Sequence, residues 1–212
     1  MLMLFYSPGA CSMASHIGLE ECGAQFELKP VALAKGEQRS PDYLKINPRG
    51  KVPALRLEDG SVLTENTAIL SYLGLRFPEK GLLPKDAAAA ARCISMMAWL
   101  SNTVHPAFTH IFRPERFCED EAAQGAVKAA GKKNFWAALQ EIDGIVAGKT
   151  WMQGDAFTAC DPYALVFYGW GKRIELPVKD LANYTAWKHR MLERPAVRKV
   201  LEKEQNILTK AA

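Results

Sequence analysis

The segment FYSPGACSMASHIGLEE, residues 5–21, joins a short apolar run to a helical pattern through a Pro-Gly turn. Residues 2–6 (LMLFY) have the apolar character of a buried strand, and residues 12–22 place apolar side chains at helical spacing. Cys11 falls at the predicted first turn of this helix, where backbone amides stabilise negative charge. The position favours a reactive thiol, but a half-buried cysteine without a chemical role fits the local sequence equally well.

The predicted helix does not by itself make Cys11 a thiolate. A free cysteine has a pKa near ~8.5, so only a small fraction is ionised at neutral pH. A helix N-terminus stabilises a negative charge by about 0.5–2 kcal/mol, which lowers the pKa by roughly one unit. A hydrogen bond from Ser12 or from Tyr6 would have to supply the remainder, so both are candidate site residues.

The first part of the chain alternates between strand and helix signals. Strand patterns cover 2–6 and 25–31, a short helix is predicted around 42–46, and another helix starts near residue 65. Before that last helix, PALRLEDGSVLT predicts two strands joined by a two-residue turn at Asp59-Gly60, because both positions tolerate positive φ. The order is βαβ, a helix, and then ββα, which indicates an α/β domain.

The character changes at PEKGLLPKD, whose prolines and glycine mark a linker. Beyond it, helical periodicity covers 87–112, 121–146, 162–173 and 184–204, with Pro195 interrupting the last segment. We therefore predict an α/β domain over residues 1–78, a linker at about 79–85, and an all-helical domain over residues 86–212.

Composition and charge exclude several classes of protein. The chain has 212 residues, of which 49% are hydrophobic, and its 27 basic and 23 acidic residues are spread along the sequence, which does not suggest a nucleic-acid binder. No stretch reaches the roughly 18 apolar residues of a membrane-spanning helix, so a soluble protein is expected. The five cysteines form no CxxC pair and leave one unpaired in any disulfide scheme, which argues against a zinc ribbon and a secreted disulfide framework. A reducing compartment, the cytoplasm, and no metal are therefore expected.

Two further segments contain candidate binding residues. In NPRGKVPALRL, Pro53 cannot donate to a sheet, so the backbone of Val52 is left free to pair with an extended peptide, although an ordinary strand start is the alternative. In LTENTAI, Glu65 and Asn66 fall at a predicted helix start, where the amides attract a carboxylate and Glu65 can accept from an amino group. The alternative for this pair is a helix cap.

His105 and its neighbour Pro106 interrupt the first long helical pattern of the second domain. A proline disfavours helical geometry at the preceding residue, so a kink is predicted there. A core or capping histidine is the alternative to a functional one. In FTACDPY, Thr158 and Asp161 have the spacing of reciprocal caps at a helix start, which we interpret as structural.

Taken in order, these motifs resemble the cytosolic glutathione transferases, and within them the bacterial beta class. The resemblance runs through FYSPGACSMASHI, INPRGKVPAL, LTENTAI, FTACDPY and RPAVRKVLE and covers nearly the whole chain. It implies a thioredoxin-like N-terminal domain, an all-helical C-terminal domain, a homodimer, and glutathione as co-substrate with no metal.

The resemblance also implies a role for individual residues. Cys11 would contact the glutathione sulfur and form a mixed disulfide with it, with His105 nearby, and Val52 would pair its backbone with the cysteinyl unit ahead of a cis Pro53. Glu65 and Asn66 are implied to bind the γ-glutamyl end of glutathione, and Lys35 is implied to bind the glycyl carboxylate. Phe108 and Phe112 are the plausible apolar neighbours of a small electrophile.

The chain departs from the beta-class pattern at three positions: Asn66 replaces a small residue, Ala98 an asparagine, and Pro106 a lysine. Two alternatives to a transferase therefore stay open. The first is a glutathione-dependent oxidoreductase, restricted to a monothiol cycle because position 14 is Ala14 rather than a second cysteine. The second is a non-catalytic interaction protein that retains the fold.

Overall fold

A computed structural model describes residues 1–209 of the chain. Its sheet has four strands, β1 (Leu2–Tyr6), β2 (Phe26–Pro30), β3 (Ala54–Arg56) and β4 (Val62–Thr64), in the order β2-β1-β3-β4. β1 pairs with β2 in parallel and with β3 in the antiparallel sense, and β4 continues the antiparallel part. Leu4, opposite both Leu28 and Leu55, lies at the centre of this sheet.

The turn between β3 and β4 differs from the prediction. Leu57 N–H donates to the carbonyl of Ser61 at 2.8 Å, and Gly60 N–H donates back to Leu57 at 3.1 Å, so the loop contains three residues. Gly60 alone in this loop has a positive φ, 86°. Asp59 instead uses its carboxylate to accept from the Ser61 N–H at 2.9 Å, so the predicted two-residue turn is wrong.

Three helices cover the sheet, α1 (Ser12–Cys22), α2 (Pro41–Ile46) and α3 (Asn66–Arg76). Alternate residues of β1 point to opposite faces, so Leu2 and Leu4 join the large core with α1 and α3, while Phe5 packs against Tyr43 of α2. A side chain at Gly18 would meet Leu70, which explains how α1 and α3 approach so closely. The predicted thioredoxin-like arrangement of the N-terminal part is confirmed.

The rest of the chain is helical, as predicted. Its helices are α4 (Ala87–Trp99), α5 (His105–Phe112), α6 (Glu121–Val146), α7 (Cys160–Arg173), α8 (Ala182–Glu193) and α9 (Pro195–Lys203). The gap from Arg76 to Ala87 contains the predicted linker, whose limits stay a prediction. Among the described residues, no helix combines the length and apolar character needed to cross a membrane.

The backbone around Pro106, where a kink is predicted, stays helical. A single turn of π-helix over Leu100–Val104 connects α4 to α5, and His105 keeps helical angles, φ −62° and ψ −48°. The wider turn changes the hydrogen-bond pattern just where the proline lacks an N–H donor. The prediction of non-helical geometry at His105 is therefore wrong.

The last helices hold the first one in place. α1 packs against both α7 and α9. His16 Nδ1 lies 2.8 Å from Oε1 of Glu204, and both side chains are buried. The other oxygen of Glu204 accepts from the N–H of Gly9 at 3.1 Å. These contacts join the loop before α1 to the end of α9.

Candidate active site

Cys11 lies at the N-terminal end of α1, as the sequence predicts, and its side chain is buried. The thiol donates a hydrogen bond to the carbonyl of Val52, with a sulfur–oxygen distance of 3.5 Å. The Val52–Pro53 peptide bond is cis. The structure therefore brings together the predicted thiol and the predicted peptide-binding segment, which are 41 residues apart in the sequence.

The ionisation of Cys11 is opposite to the expectation from a helix start. Burial, together with the negative charge of Glu65, raises the pKa of the thiol to about 12. Asn66 and the positive charge of Lys51 lower the pKa of the thiol, but by less than burial raises it. Loss of hydration therefore outweighs the helix field, and Cys11 is a neutral thiol and a hydrogen-bond donor in this structure.

Ser12 and Tyr6 do not supply the hydrogen bonds expected of them. The Ser12 hydroxyl accepts from the N–H of Ser7 at 3.1 Å and donates to the Ser7 carbonyl at 3.2 Å. The Tyr6 ring lies 5.6 Å from the ring of His16, and the two line a groove between β2 and α9. Their predicted contact with the Cys11 thiol is wrong, because Ser12 closes the loop and Tyr6 faces α9.

The backbone next to Cys11 is fixed by two side chains that the sequence analysis did not identify. The Tyr43 hydroxyl and the Asn47 amide both donate to the carbonyl of Lys51 at 2.7 Å. Within residues 1–209, the N–H of Val52 has no hydrogen-bond partner. An unpaired backbone donor next to a thiol is a group to which a peptide-like ligand can bind.

Glu65 and Asn66 share a helix start but have different surroundings. Glu65 has a positive φ of 71°, is exposed, and does not cap α3. No hydrogen bond or ion pair to its carboxylate occurs among residues 1–209. A non-glycine residue at this φ is uncommon and is typical of functional positions. Glu65 is therefore the free anion of the site.

The Asn66 amide, in contrast, is used inside the protein. Its oxygen accepts from the Ser15 hydroxyl at 2.6 Å, and its nitrogen donates to the carbonyl of Cys11 at 3.0 Å. The side chain is buried and links α3 to the first turn of α1. Asn66 thus positions Cys11, and the implied contact of its side chain with a ligand would need these bonds to break.

Lys35 is not joined to this cluster by a side-chain hydrogen bond or ion pair among residues 1–209. It is exposed in the short turn Leu33–Lys35, and its side chain forms no hydrogen bond or ion pair with the described residues. The structure gives no contact between Lys35 and the other predicted residues.

His105 faces the site from the helical part of the chain. Burial and the positive charges of Lys51 and Arg116 lower its pKa to about 4, so the imidazole is neutral. Its Nδ1 lies 3.5 Å from the hydroxyl of Tyr163, whose own pKa is raised by burial and by its closeness to Cys11. Tyr163 therefore lies close to both His105 and the thiol, and no pattern in its apolar helical segment distinguishes it from a core residue.

An aromatic wall continues from His105. Phe108 is 5% exposed and stacks on Trp170 at 4.3 Å, whereas Phe112 is 46% exposed and stacks on Phe108 at 5.7 Å. The indole N–H of Trp170 donates to the carbonyl of Gly9 at 3.0 Å. Phe108 therefore supports the wall from within, while Phe112 presents its ring to solvent.

No group of three or more His, Cys, Asp and Glu side chains in residues 1–209 is arranged to hold a metal ion. The chemistry that the arrangement offers comes from a neutral thiol, an unpaired backbone amide, a free carboxylate and a neutral imidazole.

Comparisons with known proteins agree with this arrangement. Residues 9–76 match the family described as the glutathione S-transferase N-terminal domain. Glutathione S-transferase GstA of Escherichia coli O157:H7 is 36% identical over 205 residues, covering 96% of this chain and 98% of that protein.

Solved structures match over the same length. A glutathione transferase homologue from Sulfitobacter, with bound glutathione, has a TM-score of 0.91 at 33% identity and covers 96% of this chain and 98% of its own. The beta-class enzyme of Sphingomonas chungbukensis has a TM-score of 0.84 at 36% identity, covering 95% and 98%. The chain belongs to the glutathione S-transferases.

Proposed function

We propose that this transferase binds glutathione along Val52, with the glutathione sulfur next to Cys11, and transfers it to small electrophiles. The observation that carries the proposal is the pairing of the Cys11 thiol with the Val52 backbone, whose N–H has no partner in the described residues. An extended tripeptide can use such an amide in the manner of an added strand. The free Glu65 carboxylate is a suitable partner for the amino group of the γ-glutamyl unit.

In this proposal Cys11 acts as a donor rather than as the attacking group. Its high pKa keeps the proton on sulfur, and the proton now points to a carbonyl oxygen. A glutathione thiolate is a stronger acceptor than that carbonyl, since hydrogen bonds to charged groups are about twice as strong as neutral ones. Binding the anion in this way lowers the pKa of the glutathione thiol, and its proton leaves to solvent.

The chemical step is a nucleophilic substitution or addition by the glutathione thiolate. A carbon–sulfur bond forms at the electrophilic carbon, and in a substitution the leaving group departs with its electron pair. The neutral His105 imidazole and the aromatic wall of Phe108 and Phe112 border the side from which the electrophile approaches.

The thiol–disulfide alternative has less support. A monothiol cycle requires Cys11 to be an effective nucleophile, and burial disfavours its thiolate. Position 14, one helical turn after Cys11, is the buried Ala14, so no resolving cysteine is available there. These features favour conjugation over reduction of disulfides.

Three further parts of the proposal rest on relatives. A beta-class assignment is supported by the beta-class enzyme among the similar structures. A homodimer in the cytoplasm, acting in detoxification of small electrophiles, is what the resemblance of the sequence to the class implies. Light scattering after size exclusion tests the dimer, for which the mass should be twice the 23.5 kDa of one chain.

Calorimetric titration with reduced glutathione at neutral pH tests the site. The unmodified protein should bind with a dissociation constant on the order of micromolar to millimolar, and Cys11→Ala should bind about tenfold more weakly because a charge-assisted hydrogen bond is lost. Cys22→Ala is the matched control, since Cys22 is also buried and also has a pKa raised to about 12, but lies at the other end of α1. Equal affinities for all three proteins would remove Cys11 from the site.

A further inference from the structure

A cavity of about 350 Å³ opens beside the active site, between the loop before α1 and the inner face of α7. Its walls include Gly9 and Ala10, the residues just before Cys11, and Trp170, whose ring lies 5.0 Å from that of His105. Residues 204–207, at and just after the end of α9, also line it. The cavity therefore adjoins the proposed site through the Trp170–His105 contact and through the loop that leads into Cys11.

Two charged residues line this cavity among the described part of the chain, Glu204 and Arg173. Glu204 is compensated, since one oxygen lies 2.8 Å from His16 Nδ1 and the other accepts from the Gly9 N–H. Arg173 forms no ion pair with any of residues 1–209, and its guanidinium lies 5.1 Å from the centre of the Phe112 ring. The charge left uncompensated in the cavity is therefore positive.

Other cations reinforce this charge. Arg113 lies over Phe112 at 5.3 Å, and its only acidic neighbour in the described residues, Glu115, is 3.8 Å away. Lys51 and Arg116 lie close enough to His105 to lower its pKa. The negative charge of Glu65 opposes them, and it is close enough to Cys11 to raise the pKa of the thiol.

We propose that Arg173 is a specificity-determining residue that selects electrophiles carrying a negative charge next to a planar, apolar body, such as aryl carboxylates. This inference rests on the proposed conjugation reaction at the same site. The planar part would lie against Trp170, which lines the cavity, and the carboxylate would pair with the Arg173 guanidinium, whose fork of donors matches it. Arg173 is exposed, so the attraction between the two charges is screened by added salt.

The test compares two substrates of similar shape, one with a charged and one with a neutral group para to chlorine, 4-chloro-3,5-dinitrobenzoate and 4-chloro-3,5-dinitrobenzamide. In both, the glutathione sulfur forms a bond to the carbon that carries chlorine, chloride departs with the electron pair of the broken bond, and the thiol proton goes to solvent. The quantity measured is the ratio of kcat/KM for the benzoate to kcat/KM for the benzamide, on the full-length protein at saturating glutathione.

The unmodified enzyme should prefer the benzoate. Arg173→Gln should lower the ratio about tenfold, while kcat/KM for the benzamide should stay within about twofold of the unmodified enzyme's value. Arg173→Lys keeps the charge and should retain most of the preference. Arg198→Gln, the same charge change at an exposed residue of α9 outside the cavity lining, should leave the ratio unchanged. Added salt should reduce the preference of the unmodified enzyme but not that of Arg173→Gln.

An unchanged ratio in Arg173→Gln, or an equal loss with both substrates, would overturn the proposal for Arg173 while leaving conjugation in place. Failure of the unmodified enzyme to conjugate either substrate, together with no binding of glutathione in the calorimeter, would instead overturn the proposed function itself.

Discussion

The starts of α1 and α7 have similar backbone geometry, but they differ in whether the polar groups around them have hydrogen-bond partners. Each follows a residue in helical conformation without a side-chain cap, Cys11 for α1 and Ala159 for α7. At α7, the buried Asp161 accepts from the N–H groups of Met152 and Thr158 and from the Trp187 indole, at 2.8–3.0 Å. At α1, the unpaired Val52 N–H and the free Glu65 carboxylate lie near Cys11.

The difference separates a structural helix start from a functional one. Buried polar groups in native proteins are nearly all satisfied, and those of α7 follow this rule through one carboxylate. The polar groups around α1 are satisfied only in part, which makes them available to a ligand. Changes at α7 should therefore alter stability, and changes at α1 should alter binding.

The largest effect is expected from Asp161→Ala. The change leaves three buried N–H donors without an acceptor, each costing about 1–3 kcal/mol, so the free energy of unfolding should fall by about 4 kcal/mol. Chemical denaturation measures it. Asp155→Ala, at an exposed acid in the preceding loop, is the control and should change stability by less than about 0.5 kcal/mol. A similar small loss in both variants would contradict the contrast drawn here.

A smaller effect, with opposite signs, is expected from pH. The pKa of Asp161 is raised from 3.8 to about 6, so the folded state holds a proton that the unfolded state has released, and stability falls as pH rises from 4 to 6. The pKa of His105 is lowered from 6.5 to about 4, so the unfolded state holds the extra proton and stability rises over the same range. Asp161 and His105 thus contribute opposing slopes.

Two substitutions separate these slopes. Asp161→Asn should make the free energy of unfolding rise more steeply between pH 4 and 6, and His105→Gln should make it rise less or fall, each by about 1–2 kcal/mol over the range. Urea denaturation at a series of pH values provides the measurement. Parallel curves for both variants and the unmodified protein would show that neither group has the ionisation described here.

The smallest effect on stability is expected from Glu65→Gln, because the carboxylate has no partner in residues 1–209 to lose. The free energy of unfolding should stay within about 0.5 kcal/mol, while the affinity for glutathione should fall about tenfold. Calorimetry and denaturation on the same samples give both numbers. Glu27→Gln, at an exposed residue of β2, serves as control. A loss of stability without a loss of affinity would assign Glu65 to the fold instead of the site.

Local features of the fold could be predicted from the sequence where a short segment contains all the determinants. α6 covers Glu121–Val146, the predicted range, and its start is fixed by Asp120, which caps the N–H of Ala122 at 3.0 Å. α7 begins at Cys160, two residues before the prediction, and its cap is reciprocal only in part. Asp161 accepts from the Thr158 N–H, but the Thr158 hydroxyl donates to the same carboxylate and does not cap the helix.

Features that depend on distant residues could not be predicted. The position of Cys11 at the start of α1 is confirmed, but its ionisation depends on burial and on Glu65, 54 residues later in the sequence, which no local pattern reports. Tyr163 and Trp170 lie within an apolar helical segment in which a core role and a site role have the same sequence pattern. The charge of Arg173 is likewise informative only once the fold shows that Glu204, 31 positions later, is already paired.

The Gly9 peptide has a consequence for how the enzyme is made. Its N–H is bound by Glu204 and its carbonyl by Trp170, residues that lie 195 and 161 positions further along the chain. A ribosome completes the strands and helices of the first domain long before it adds these two side chains. During synthesis, therefore, the loop that carries the thiol receives its last partners only when nearly the whole polypeptide has emerged, and a product cut short before α9 would lack the acceptor for the Gly9 N–H.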